Sequence, residues 1–233
     1  VVLLPWSLVF LQPDLGTSLV FGAVLLIMLY WSGMPLEWGL LVLSGIITAI
    51  FASVMPWLLL AWIPFLGLLA YRSLPKKKLF SFLAMVFHGL IASFTPWLWM
   101  NVLKDYQRDR LTLFLDPGRD PLGGGYHLLQ SQIGIGSGGF WGTGLLQGKL
   151  TQLSFIPEQH TDFIFSALGE ETGFFGTTVV ITFFLLLIVR LLKIARHART
   201  NFESLFVIGV TTMMMFQVMV NIFMTIGLGP VTG

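Results

Sequence analysis

The chain has 233 residues, of which 55% are hydrophobic and only 10% are charged. Soluble domains carry about 25% charged residues, so this one cannot cover itself with a water-compatible surface. That excludes an ordinary cytosolic enzyme, a disordered chain and a nucleic-acid binder; the net charge of +2 is too small to point to polyanions. With no cysteine there are no disulfides, thiolate metal sites or cysteine nucleophiles.

The sequence opens on Val1, without Met or a recognisable signal peptide, and ends just after an apolar run. It reads as an internal piece of a larger membrane protein. Residues 1–11 resemble the tail of one span. Uncharged apolar runs follow at 15–32, 38–71, 79–103, 172–189 and 204–233. A bilayer-spanning helix needs roughly 20 apolar residues. The run 38–71 is too long for one comfortable span, and Pro56 sits near its middle. Two short spans, 38–54 and 57–71, forming a hairpin are expected there; one tilted, kinked helix is the alternative.

Positive residues fix the orientation. Arg72 with Lys76, Lys77 and Lys78 makes one basic loop, and Arg190, Lys193, Arg196 and Arg199 make another. Both are expected on the cytoplasmic side. The segment between the intervening spans, 104–171, then lies outside, with five Lys or Arg and eight Asp or Glu. The expectation is an all-α polytopic transmembrane bundle, a single membrane domain over 1–233, with one large exoplasmic loop at 104–171. Long ordered loops usually carry function.

Several short patterns fail on context. Gly134 to Gly139 fits G-x-G-x-x-G formally but lacks a βαβ setting. Gly144 to Lys149 lacks the Ser or Thr that a P-loop needs after its lysine. These glycines suit tight turns and close backbone approach instead. Glu158, His160 and Asp162 alternate, yet no second histidine or cysteine completes a zinc set. A divalent cation (Mg or Mn) held by carboxylates and a phosphate stays compatible, because such ions use few protein ligands.

Asp162 precedes an apolar run and fits two roles equally: a helix N-cap with Thr161, or a carboxylate at the membrane surface that accepts protons. Lys104, Arg108 and Arg110, interleaved with Asp105 and Asp109, are either a surface ion-pair cluster or a clamp for lipid phosphates. Asp14 either caps the helix from Leu15 onward or is a functional candidate, as ionisable groups at membrane depth are by default. For His88 and the i, i+4 pair Gln217 and Asn221, hydrogen bonding between helices is the favoured role.

Longer motifs carry a resemblance. Gln12-Pro13-Asp14-Leu15-Gly16-Thr17, Asp105-Tyr106-Gln107-Arg108 with Arg110-Leu111, and Phe114-Leu115-Asp116-Pro117 resemble the SEDS family of FtsW, RodA and SpoVE proteins, nearest its RodA branch. Asp120-Pro121-Leu122-Gly123, Gly125-Tyr126-His127 with Gln130-Ser131, and Ile133 to Gly139 continue the match. So do Phe155 to Phe165, Phe216-Gln217, Val220-Asn221 and Pro230 to Gly233. The resemblance implies a peptidoglycan glycosyltransferase of the bacterial inner membrane. Such enzymes polymerise lipid II on the outer face beside a class B penicillin-binding protein transpeptidase, in cell elongation or division. The family's essential loop aspartate falls on Asp162, which becomes the expected general base. Expected substrate contacts are Arg108, Arg110, Lys149, Glu158, His160, Thr161, Gln130, Ser131 and Asp14. The 38–71 hairpin looks like an addition to the family pattern, and Gly148-Lys149-Leu150-Thr151-Gln152 replaces a commoner Gly-Thr-Gln-Ser-Gln. A lipid II transporter and a non-catalytic scaffold for the transpeptidase are the competing functions.

Overall fold

A computed structural model describes residues 3–11, 15–101, 108, 113, 124–153, 155 and 160–230. All regular elements among them are helical: α1 (Leu3–Leu11), α2 (Leu15–Trp31), α3 (Leu36–Val54), α4 (Leu59–Ser73), α5 (Lys77–Asn101), α6 (Gly124–Gly138), α7 (Lys149–Gln152), α8 (Ile164–Arg196) and α9 (Asn201–Thr225). Among the described residues, five stretches are long and apolar enough to cross a membrane: Leu36–Val54, Pro56–Ser73, Lys77–Asn101, Ile164–Arg196 and Asn201–Thr225.

The 38–71 run is a hairpin. Met55 breaks α3 at φ −140° and ψ 68°, because the residue before a proline is pushed out of the α region. A single 3₁₀ turn, Pro56–Leu58, then leads into α4. Within 104–171 the described residues include α6, α7 and the first two turns of α8. The charges of Glu170 and Glu171 made that span seem to begin at residue 172; the helix in fact starts at Ile164.

The chain forms two compact units, residues 29–108 and residues 1–28 with 109–233. In the former, α3, α4 and α5 pack on one another around Leu41, Leu66, Ala70, Leu74 and Ala84. Trp38 meets Phe80 edge-on at 4.7 Å. His88, fully buried, lies at the centre of a polar knot. Thr48 Oγ1 is 2.8 Å from its Nδ1 and Ser44 Oγ 3.3 Å from its Nε2. The Trp62 indole donates to Thr48 Oγ1 at 3.1 Å. Bonding between helices, the role expected for His88, is what these contacts provide.

In the other unit α8 packs against both α6 and α9. The Trp6 indole of α1 donates to Ser18 of α2 at 3.0 Å. Where α9 passes α2, a Cβ at Gly209 would lie 3.4 Å from Met28 Sδ. The start of α9 is a variant of the capping box. Thr200 accepts from the Glu203 N–H, and the Glu203 carboxylate accepts from the Arg199 N–H.

Candidate functional site: an aspartate turn and a loop clamped to a kinked helix

Asp162 sits in the turn that enters α8 and is half-buried; His160 and Thr161 beside it are exposed. Two anchors fix this turn. The next residue, Phe163, is 2% exposed and stacks on the His127 ring of α6 with centroids 6.3 Å apart. From α9, the Asn221 amide donates to the Asp162 carbonyl oxygen at 2.9 Å, and lies 3.4 Å from that of Thr161. Among the described residues no side chain bonds or pairs with the Asp162 carboxylate. Asp162 is not the N-cap of α8, which is Phe163, with no side-chain cap bond.

Below the turn, three helices meet through hydroxyls. Ser131 of α6 and Ser166 of α8, both fully buried, share a short hydrogen bond. Ser131 Oγ is also 2.9 Å from the Thr225 carbonyl oxygen, and the Thr225 hydroxyl turns back to the carbonyls of Asn221 and Ile222. The Ser131 hydroxyl, expected to contact substrate, is therefore engaged in helix packing. Gln130 is half-buried on the same helix.

The glycine-rich stretch answers a structural need created by α8. Gly173 has φ 64° and ψ −166°, which breaks the helix. The bonds from Phe174 N–H to Glu170 and from Phe175 N–H to Glu171 would lie across that break. Residues 139–144 supply replacements. Phe174 N donates to Gly139 O at 2.9 Å and Phe175 N to Phe140 O at 3.1 Å. Thr143 N donates to Glu170 O and Gly144 N to Glu171 O, each at 3.0 Å. All four orphaned backbone groups are paired, as a buried kink requires. The approach is too close for side chains: a Cβ at Gly142 would run into the Glu171 carbonyl. Close backbone approach is the use of Gly138 and Gly142, while Gly139 and Gly144 turn the chain with positive φ, so both uses expected for these glycines occur.

Beyond Gly144 the loop carries α7. Lys149, its first residue, is exposed. The Glu170 side chain, 1% exposed, receives Leu150 N at 2.8 Å, Thr151 N at 2.9 Å and Thr151 Oγ1 at 2.6 Å. Sequence reading gave Glu170 no role and Asn221 only a helix-joining one. The available signal was a polar residue inside an apolar run. Arg108 is half-buried and belongs to the 29–108 unit. Asp14, Arg110 and Glu158 lie outside the described residues. Among the described residues no group of three His, Cys, Asp or Glu could hold a metal ion.

These features define a multi-pass helical membrane protein whose polar loop is built onto a kinked span. The family model described as cell cycle protein, FtsW/RodA/SpoVE, matches residues 1–73 and 58–233, and the chain belongs to that family. It is 38% identical over 232 residues to the peptidoglycan glycosyltransferase MrdB of Escherichia coli (strain K12), covering 100% of this chain and 50% of that one. To the peptidoglycan glycosyltransferase RodA of Treponema pallidum (strain Nichols) it is 34% identical over 260 residues, covering 100% and 60%. A chain from a solved structure on the coordination of polymerization and crosslinking by a peptidoglycan synthase complex matches with a TM-score of 0.56. The identity there is 31%, over 100% of this chain and 51% of that chain. The chain thus spans about half the length of these relatives.

Proposed function

We propose that the full-length protein is a peptidoglycan glycosyltransferase of the bacterial inner membrane, polymerising lipid II on the outer face during cell elongation. The observation that carries this is the Asp162 turn. Its backbone is held by Asn221 and Phe163, and no described side chain engages its carboxylate. A fixed carboxylate beside apolar surface suits a general base. Asp162 takes the proton from the acceptor sugar hydroxyl as that oxygen bonds to the anomeric carbon of the donor. The bond from that carbon to the pyrophosphate breaks, and undecaprenyl pyrophosphate leaves with the electron pair. Arg110, with Lys149, offsets the charge developing on the leaving group; Arg108, which falls in the 29–108 unit, stays a candidate from its sequence motif. His160, Thr161, Glu158, Gln130 and Asp14 remain candidates for holding the sugars and headgroup. A divalent cation, Mg or Mn, would enter with the diphosphate.

The similar solved chain belongs to a peptidoglycan synthase complex that coordinates polymerization and crosslinking, which supports a crosslinking partner for this protein, read here as a class B penicillin-binding protein transpeptidase. The test uses the intact protein, reconstituted with purified lipid II. Asp162→Asn should lower polymerisation by roughly a hundred- to ten-thousandfold while the protein stays folded. Retained activity would remove Asp162 from the role. Headgroup translocation without polymer would favour a transporter, and wild-type protein that supports its partner without making polymer would favour a scaffold.

A further inference from the structure

We propose that Glu170 is the positioning residue for Lys149, setting where that cation meets the diphosphate of the donor; this rests on the glycosyltransferase reading above. A carboxylate taken almost wholly out of water is costly unless its oxygens are satisfied. Glu170 finds its donors on the loop. Leu150 N binds Oε1, and Thr151 N and Oγ1 bind Oε2. These backbone donors belong to the first turn of α7, whose own N-cap, Gly148, offers no side chain. A Cβ at Gly148 would lie 2.7 Å from Glu170 Oε2, so the space that the carboxylate fills is the space a capping residue would need.

Between Leu145 and Phe155, the remaining hydrogen bonds of the described residues stay local. Gln147 N bonds Gly144 O, Gln152 N bonds Gly148 O, Leu153 N bonds Lys149 O and Phe155 N bonds Leu150 O. The Gln152 amide bonds the Leu146 carbonyl. Among the described residues, each hydrogen bond from this stretch to a membrane helix therefore ends on one carboxylate. The same residue holds the loop's start, because its carbonyl oxygen accepts from both the N–H and the hydroxyl of Thr143 at 3.0 Å.

What the tether carries is the one Lys or Arg between Gly124 and Val189. Glu170 lies on the stretch of α8 before its kink at Gly173, and Asp162 lies eight positions earlier in the turn that enters the same helix. The base and the loop that bears the cation are thus both anchored at the start of one helix. Such preorganisation is what a charge-stabilising group requires. The Glu170 carboxyl itself stays buried and touches no reacting atom; it acts through the loop.

The experiment uses the full-length protein with purified lipid II and compares Lys149→Met, Glu170→Gln, Thr151→Val and the double variant Lys149→Met with Glu170→Gln. Lys149→Met and Glu170→Gln should each lower kcat for lipid II polymerisation by about tenfold, with KM changed less. Thr151→Val, which removes one of three donors and leaves the carboxylate, should lower it by about threefold. The double variant should be no worse than Lys149→Met alone. A multiplied effect in the double variant, or a loss confined to KM, overturns the proposal. A spin label at Leu146→Cys, with any cysteine outside these 233 residues replaced by serine, gives a readout independent of catalysis, since Leu146 is 80% exposed and these residues hold no other cysteine. Thr151→Val and Glu170→Gln should each loosen the label. An unchanged spectrum overturns the tether, whatever the activity. Absence of polymerisation by wild-type protein would fell the glycosyltransferase reading while the label still judges the tether. Should Glu170→Gln fail to fold, Thr151→Val decides.

Discussion

The Asn221 amide of α9 donates to the carbonyl oxygen of Asp162 at 2.9 Å, so a residue 59 positions later holds the aspartate by its backbone. The carboxylate is thereby left for chemistry while its peptide is fixed. Removing the amide should let the turn shift without removing the acid. Asn221→Ala is expected to lower kcat for lipid II polymerisation by roughly tenfold or more, because small displacements of a reacting group are costly. KM should change less, and thermal unfolding should move by only a few degrees. Steady-state kinetics on the reconstituted full-length protein check this. An effect equal in kcat and stability would mean that Asn221 only joins helices.

The kink at Gly173 makes a second prediction. Its φ of 64° is strained for any residue with a Cβ, and a Cβ there would also run into the Gly142 N–H and Phe140. Gly173→Ala must either straighten α8 or push residues 139–144 away. Either way the four replacement hydrogen bonds are disturbed. The expected cost is about 2–4 kcal/mol, from backbone strain together with lost bonds. Hydrogen exchange at the amides of Phe174 and Phe175 should accelerate in step with the fall in thermal stability. If those amides stay protected, the 139–144 strip does not hold the kink.

How far these features could be read from residues alone depends on how local their cause is. The break at Met55 was legible because Pro56 acts on its neighbour through its own ring. The close approach of the 134–148 glycines was legible in kind, since only close packing or turns explain so many. Which glycine of α8 kinks was not legible. Gly169, Gly173 and Gly176 look alike, and the groups that pair with the break lie some 30 positions earlier in the chain. The early start of α8 was missed for a related reason. A carboxylate such as Glu170 ends an apolar run by pattern, yet its burial depends on donors from another segment. Asp162 stood out through its family motif; that its backbone is held by Asn221 required the fold.

The buried knot in the 29–108 unit gives a third prediction. Thr48 donates to the Ser44 carbonyl at 3.0 Å while meeting both His88 and Trp62. Replacing it by valine keeps the shape and removes the hydroxyl, so the Trp62 N–H and a ring nitrogen of His88 lose their partner. Thr48→Val should destabilise this unit by about 1–3 kcal/mol, with His88→Leu costing less because both hydroxyls keep their carbonyl bonds. The double variant should fall short of the sum, as residues sharing a network couple. Denaturation of the four proteins in one detergent measures this. Additive losses would mean that the histidine and threonine act separately. Polymerisation of lipid II should survive both changes.

Ser131 separates two readings of one motif. Within Gln130-Ser131 it was expected to contact substrate, whereas its hydroxyl lies fully buried between Ser166 and the Thr225 carbonyl oxygen. If packing is its role, Ser131→Ala leaves one partner hydroxyl and one carbonyl short of a bond. Stability should then fall by about 1–2 kcal/mol, while KM for lipid II stays within about twofold of wild type, since unchanged KM means no lost ground-state contact. Ser166→Ala should resemble it, and the double variant should cost less than the sum, because each change removes the same bond. A KM raised by tenfold at unchanged stability would return Ser131 to the substrate. It would also require α6 to move relative to α8 when lipid II binds, because nothing else could bring that hydroxyl out of the seam.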